Sequence, residues 1–304
     1  MSQNSKFKIQ NVIKSMRLRT LPLSLAGVVC GGLLAIGNGG NVWSLLLVMV
    51  TGCALQVLSN LSNEMGDHLS GVDGEGREGP NYSMTDGGLT EKQMWRAING
   101  MVVFCCLSGL AMVLVSGSPW WLLLLGAAAI WASTHYTLGK NPYGYRGLGD
   151  LFVFIFFGLV SVLGSYYVVA GTLDCERWLL LPAVGVGLLS VAVLNVNNIR
   201  DIQSDEGIRR TIPLRIGVRN ARIYHTFLIV LGVASFFLAS VAFVQIVACC
   251  ITVPFFAWHL YGVWTREGRN LDPMLPLLVI TTFVLAVLYS GVMPLLFGLF
   301  NQRC

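Results

Sequence analysis

Hydrophobic residues along this chain gather into nine long runs separated by short polar breaks. The runs centre on residues 21–36, 43–61, 95–115, 120–138, 148–170, 178–196, 223–243, 246–264 and 274–300. Most approach the roughly 20 residues that an α-helix needs to cross a hydrocarbon core. The pattern predicts an all-α polytopic membrane protein of nine transmembrane helices in a bundle. Its least marked boundary is the one between the seventh and eighth runs, which rests on Gln245.

Composition agrees with this reading. The chain of 304 residues is 55% hydrophobic and 12% charged, against about 25% charged in soluble domains. Residues 1–20 form a basic segment that leads into the first run without a small-residue cleavage site, so the run reads as a span and not as a signal peptide. The whole of 1–304 reads as one membrane domain. With the N-terminus inside, all but Arg177 and Arg303 of the 20 basic residues fall on the inner side. This predicts an N-in, C-out protein of the cytoplasmic membrane. The formal charge of +5 is then an inner-leaflet asymmetry, and it carries no implication of a nucleic acid partner. Most of the eight cysteines lie inside apolar runs, where they behave as small hydrophobes.

The polar chemistry collects in the inner loops 62–93 and 197–222. The stretch "NEMGDHLSGVDGEGREGP", residues 63–80, holds five of the fifteen acidic residues: Glu64, Asp67, Asp73, Glu75 and Glu78. Leading into it, Gln56, Asn60, Asn63 or Glu64, and Asp67 recur at helical spacing and fall on one face. The second loop repeats the device in "LNVNNIRDIQSDEGIRRTIPLRIG", where Asn197, Asp201 and Asp205 are interleaved with Arg200, Arg209, Arg210 and Arg215. Polar groups on a membrane helix cost free energy unless they face partners or a cavity. Two such stripes on one side point to a shared central cavity open to the cytoplasm. Glu267 and Asp272 lack this spacing and read as ordinary loop charges.

Facing carboxylates repel, so a cation is expected between them. Mg²⁺ takes one or two carboxylates and completes its shell with water and substrate phosphate, and arginine is a frequent phosphate partner. The four histidines are scattered, and His68 beside Asp67 reads as structural or solvated. In "HYTLGKNPYGYRGLGD", residues 135–150, Tyr136 and Lys140 stand one helical turn apart before Pro142. Lys140 either reaches a phosphate or snorkels at the interface. "RLRTLP", residues 17–22, reads as a positive-inside anchor.

Together, "NEMGDHLSGVD" with "REGP" and "GGLT", "YTLGKNPYGYRGLGD", and "NNIRDIQSDEGIRRTIPLRIG" resemble the UbiA superfamily of membrane prenyltransferases, and within it the menaquinone branch. The resemblance implies a nine-helix bundle around a central cavity. It implies two Mg²⁺ ions held by Asn63, Asp67 and Asp73 and by Asn197, Asp201 and Asp205. Arg77, Lys140 and Arg210 would help bind a diphosphate, and Tyr136 matches the tyrosine of a YxxxK element. Asp67, Asp201, Lys140 and Tyr136 are the implied catalytic residues. Glu64 stands where the commonest form of the motif has Asp, and Asp73 follows Asp67 by six positions, a spacing of the menaquinone branch. The implied reaction joins a polyprenyl diphosphate to 1,4-dihydroxy-2-naphthoate with loss of CO₂, giving demethylmenaquinone. Asp150 or Tyr143 would assist deprotonation. The competing readings are a prenyltransferase for another acceptor such as 4-hydroxybenzoate, and a transporter, which would carry its charges nearer the midplane.

Overall fold

A computed structural model describes residues 3–71, 83–84, 86, 88–173 and 176–301, and among these every regular element is helical. The helices are α1 (Gln3–Ser15), α2 (Leu21–Gly37), α3 (Val42–Ser70), α4 (Glu91–Ser116), α5 (Leu122–His135) and α6 (Gly149–Val153). A π-helical stretch, Phe154–Val160, joins α6 to α7 (Ser161–Ala170). Then come α8 (Arg177–Arg200), α9 (Ile202–Asp205), α10 (Ile212–Ala239), α11 (Phe243–Thr265) and α12 (Met274–Asn301). Eight helical segments among the described residues are long and apolar enough to cross a membrane, and α5 adds a shorter apolar helix of 14 residues. The expected count of nine is reached only with this short member.

Local sequence explains the ends of these helices. Asn41 caps α3 by accepting from the Trp43 amide at 2.8 Å, and Gly71 closes it at φ +76°. Thr90 and Gln93 form a capping box at the start of α4. The break between the seventh and eighth runs lies at residues 240–242, before Gln245 and not at it. Gln245 is buried in the first turn of α11, where its Oε1 accepts from the Val241 and Ala242 amides at 2.9 and 3.2 Å. A polar residue that looked like a loop marker is the cap that starts the next span.

Within the bundle α8 packs on α10, and α2 lies between α7 and α12, while α3 runs beside α4. Small residues permit the closest of these approaches. A Cβ on Gly31 of α2 would stand 2.0 Å from the Val162 carbonyl oxygen of α7, and one on Gly185 of α8 would stand 2.9 Å from that of Gly232 in α10. The fully buried rings of Phe236 and Tyr289 meet edge to face at 5.0 Å between α10 and α12.

The acid-bearing end of α3 also organises the chain around it. Asn60 donates to the Met16 carbonyl at 2.8 Å and to Thr20 Oγ1 at 2.9 Å, fixing the turn between α1 and α2. Ser83 donates to the Asn11 carbonyl at 2.7 Å, Asn11 donates to that of Gly88 at 2.9 Å, and Lys14 pairs with Asp86. Glu64 is fully buried, and its Oε1 accepts from the Met84 amide at 2.9 Å. Leaving that buried N–H without an acceptor costs about 1–3 kcal/mol. Glu64→Ala should therefore speed hydrogen exchange at the Met84 amide, read by mass spectrometry, while Glu64→Gln, which keeps an acceptor oxygen, should leave it slow.

Candidate active site

A cavity of about 670 Å³ runs through the bundle, walled by α2, α3, α4, α5, the α6–π–α7 span, α8 and α9. At one end it is lined by Asn63, Asp67, Asn197, Asp201 and Asp205, so both acid motifs open into a single space. Along α3 the lining continues from Asp67 to Val48, a helical distance of about 28 Å at ~1.5 Å per residue. Beyond the polar end the walls are uncharged and largely apolar, including Leu55, Gly126, Ile130, Phe152, Phe156 and Val168. Phe156 and Phe157 come from the π-helical stretch, whose extra residue per turn changes the helix's facing at the cavity.

Arginines hold the carboxylates at the polar end. Arg209 pairs with Asp67 of α3 and lies 3.4 Å from Asp205 Oδ1. Its guanidinium sits 4.9 Å from the centre of the Tyr145 ring. Tyr145 in turn donates to Asp67 Oδ1 at 2.9 Å. Burial opposes the Arg209 charge, but Asp67 and Asp205 outweigh it and hold its pKa above the ordinary value. Burial, reinforced by Asp67, pushes the Tyr145 phenol up to about 12. Arg200 grips Asp201 with two hydrogen bonds of 2.8 and 2.6 Å and donates to Asn197 Oδ1 at 2.8 Å. Thr137 lies 3.3 Å from Asn63 Oδ1 and donates to the Ser62 carbonyl at 2.9 Å.

The remaining expected residues divide. Tyr136 lines the cavity. Lys140 and Arg210 are exposed and stand outside its lining. The reason is backbone geometry: α5 ends at His135, and Gly139 at φ +99° turns the chain, so Tyr136 and Lys140 do not share a helical face. Gly207 at φ +81° likewise breaks the phase after α9, and the Arg210 amide donates to the Tyr145 carbonyl, leaving Arg209 to face inward. Asp73 and Arg77 lie outside the described residues. Glu64 binds Met84 and takes no place in the cavity wall. His68 is exposed, 3.5 Å from Glu91.

Three residues of the cavity wall and its ion pairs were not expected from the sequence. Arg17, read as an anchor, lines the cavity because its left-handed backbone, φ 49°, turns it off the α1 axis. Arg209, not its neighbour Arg210, faces the cavity, and only the Gly207 turn distinguishes them. Asp272, read as a loop charge, accepts from Arg200 at 2.7 Å, and no local signal marks it. Of the two residues considered for deprotonation, Asp150 accepts from Tyr224 at 2.9 Å and is absent from the cavity wall. Tyr143 does line it, and its hydroxyl already donates to the Ala132 carbonyl at 2.7 Å.

The donor chemistry fits a hard divalent cation: carboxylate and amide oxygens surround the space, and among the described residues no imidazole or thiolate group joins them. Among the described residues, no three His, Cys, Asp or Glu stand close enough to hold an ion alone. That arrangement suits an ion whose other ligands are phosphate and water.

Residues 24–273 match the model of the UbiA prenyltransferase family. The chain belongs to that family. It is a prenyltransferase and an integral membrane protein. The 1,4-dihydroxy-2-naphthoate octaprenyltransferase of Escherichia coli (strain K12) is 43% identical over 235 residues, covering 75% of this chain and 76% of its own. That of Haemophilus influenzae is 36% identical over 293 residues, covering 91% and 93%. A UbiA homolog from Aeropyrum pernix K1 shares the fold at a TM-score of 0.68 and 16% identity, over 94% of this chain and 99% of its own. Another, from Archaeoglobus fulgidus and bound to GPP and Mg²⁺, matches at 0.60 and 15%, over 94% and 98%.

Removing the Arg209 cation strands two buried carboxylates, which costs about 3–5 kcal/mol. Arg209→Ala should lower the melting temperature in metal-free detergent solution. Adding Asp67→Asn to that variant should recover part of the loss, because the second change relieves the uncompensated charge.

Proposed function

We propose that the protein transfers a polyprenyl group from an allylic polyprenyl diphosphate to 1,4-dihydroxy-2-naphthoate with loss of CO₂, forming demethylmenaquinone in its reduced, quinol state. One observation carries the reading: both acid motifs and their arginines meet at one end of a deep cavity that is otherwise uncharged and largely apolar. A diphosphate headed by a long hydrocarbon has the same division. The acceptor follows the relatives' activity and the six-residue step from Asp67 to Asp73. The transporter reading is weaker, because the acids gather at one end of the bundle.

In this reading Asn63, Asp67, Asn197, Asp201 and Asp205 hold Mg²⁺, with Asp73 a further candidate. The metal's contribution is to neutralise the diphosphate and stabilise it as a leaving group. Arg17 and Arg209 supply guanidinium donors at the same end of the cavity, and they take the role that sequence assigned to Lys140 and Arg210. The allylic C–O bond breaks with its electron pair leaving on the diphosphate. The ring carbon bearing the carboxylate forms the new C–C bond. Loss of CO₂ returns its bonding pair to the ring, so the carboxylate form needs no protein base. This accords with Asp150 lying outside the cavity and with Tyr143 already donating its proton. The rings of Tyr136, Tyr143 and Phe152 line the reaction space, where aromatic groups favour developing positive charge. The apolar walls exclude water that would capture the cation. We place the acid-bearing end and the N-terminus on the cytoplasmic side of the inner membrane, following the basic residues.

Purified protein in detergent should form product from a polyprenyl diphosphate, dihydroxynaphthoate and Mg²⁺, and lose this activity in EDTA. Asp67→Asn and Asp201→Asn should each reduce turnover by about 100-fold or more, and efficient use of 4-hydroxybenzoate in place of the naphthoate would defeat the acceptor assignment.

Gly126 lines the cavity with open space where a Cβ would lie. Gly126→Leu should depress turnover of an octaprenyl donor more than that of geranyl diphosphate, measured as the ratio of kcat/KM values.

A further inference from the structure

Arg200 is 3% exposed and uses every side of its guanidinium. Nε and Nη2 hold the Asp201 carboxylate, Nη2 also holds Asn197 Oδ1, and Nη1 donates to Asp272 Oδ1 at 2.7 Å. Asp272 comes from the α11–α12 connection, follows a 3₁₀ turn at Gly268–Leu271, and lies outside the cavity wall. Its side chain is 35% exposed, so it meets solvent on one side and the buried arginine on the other.

Charge counting gives this contact a consequence. Arg200 and Asp201 alone form a neutral, closely paired unit, and a paired carboxylate has little field left for a second cation. With Asp272 the group comprises one guanidinium and two carboxylates, net −1. The Asp67–Arg209–Asp205 group has the same composition. Leaving Arg17 aside, each of the two ion-paired groups thus keeps one negative charge in excess of its arginine, and in the α8 half that excess depends on a residue beyond both acid motifs.

We propose that Asp272 is a positioning residue of the carboxylate site, acting through Arg200 to orient Asn197 and Asp201 and to keep that half of the site negative toward a diphosphate-bound divalent cation. The inference rests on the metal-dependent reading above. Asp272 touches neither the cation nor the substrate, so the effect of losing it passes entirely through Arg200.

Asp272→Asn tests this, because an amide oxygen still accepts from Arg200 Nη1 while the charge is gone. Mn²⁺ is titrated into purified protein with inorganic diphosphate, and free Mn²⁺ is read by electron paramagnetic resonance. Mn²⁺ affinity should fall about tenfold, as expected for deleting one unit charge near a divalent ion at an effective dielectric near 20 with solvent screening. The Mg²⁺ concentration for half-maximal turnover should rise in parallel. Asp272→Glu, which restores the charge, should recover most of the affinity. Glu267→Gln serves as the control on the same connection, since Glu267 is 84% exposed and pairs with Arg222; it should bind Mn²⁺ as the wild type does.

Wild-type Mn²⁺ affinity in Asp272→Asn would overturn the proposal and leave the metal reading standing. So would a lowered melting temperature with unchanged affinity, which marks a merely structural contact. A wild-type protein that binds no Mn²⁺ would overturn both.

Discussion

The buried guanidinium of Arg209 lies between Asp67 at the end of α3 and Asp205 at the end of α9, and the polar end of the bundle is built around it. Neither carboxylate could be buried among apolar helices without a cation, and the arginine in turn needs both to offset its own burial. Tyr145 extends the same group into the α5–α6 connection by stacking on Arg209 and donating to Asp67. Three segments far apart in the chain are thereby held in one place by reciprocal electrostatic need. The apolar helices supply the bulk of the packing, but they do not by themselves determine which ends come together.

Each acid group contains more carboxylate than guanidinium. On the proposed reading, such a site has its repulsion already reduced before a metal arrives, yet retains a field that attracts a divalent ion. It also explains why no three carboxylates converge tightly among the described residues: a prebuilt closed cage would leave no place for phosphate oxygens. The same economy separates this cavity from a transport path. Its charges sit at one end, and the remaining wall along α3 as far as Val48 carries only uncharged residues: Ser59, Gln56, Leu55, Gly52 and Thr51.

Hydropathy and helical spacing made most of this legible in the sequence. The spans follow from apolar length, and Asn63, Asp67, Asn197, Asp201 and Asp205 follow from polar residues recurring on a helix face. What escaped depended on breaks in helical phase or on distant partners. Counting from Tyr136 to Lys140 presumes a helix that in fact stops at His135, and choosing between Arg209 and Arg210 requires knowing how Gly207 turns. Asp272 meets Arg200 from a connection two spans later in the chain, so no local pattern announces it. Gln245 was read as a gap between spans because capping and looping draw on the same residue types.

The polar stripe of α3 shows how one periodic signal resolves into several tasks. Successive residues on a helix are about 100° apart, so a stripe that is polar over three turns fans across several neighbours. Asn63 and Asp67 face the cavity, whereas Asn60 reaches Met16 and Thr20. That contact steadies the turn in which Arg17 adopts a left-handed backbone, a conformation unfavourable for a residue with a Cβ. Glu64 points to a third neighbour and anchors Met84. The glutamate that departs from the commonest motif is thus free to depart: its carboxylate serves the connection into α4, where reach matters more than coordination geometry.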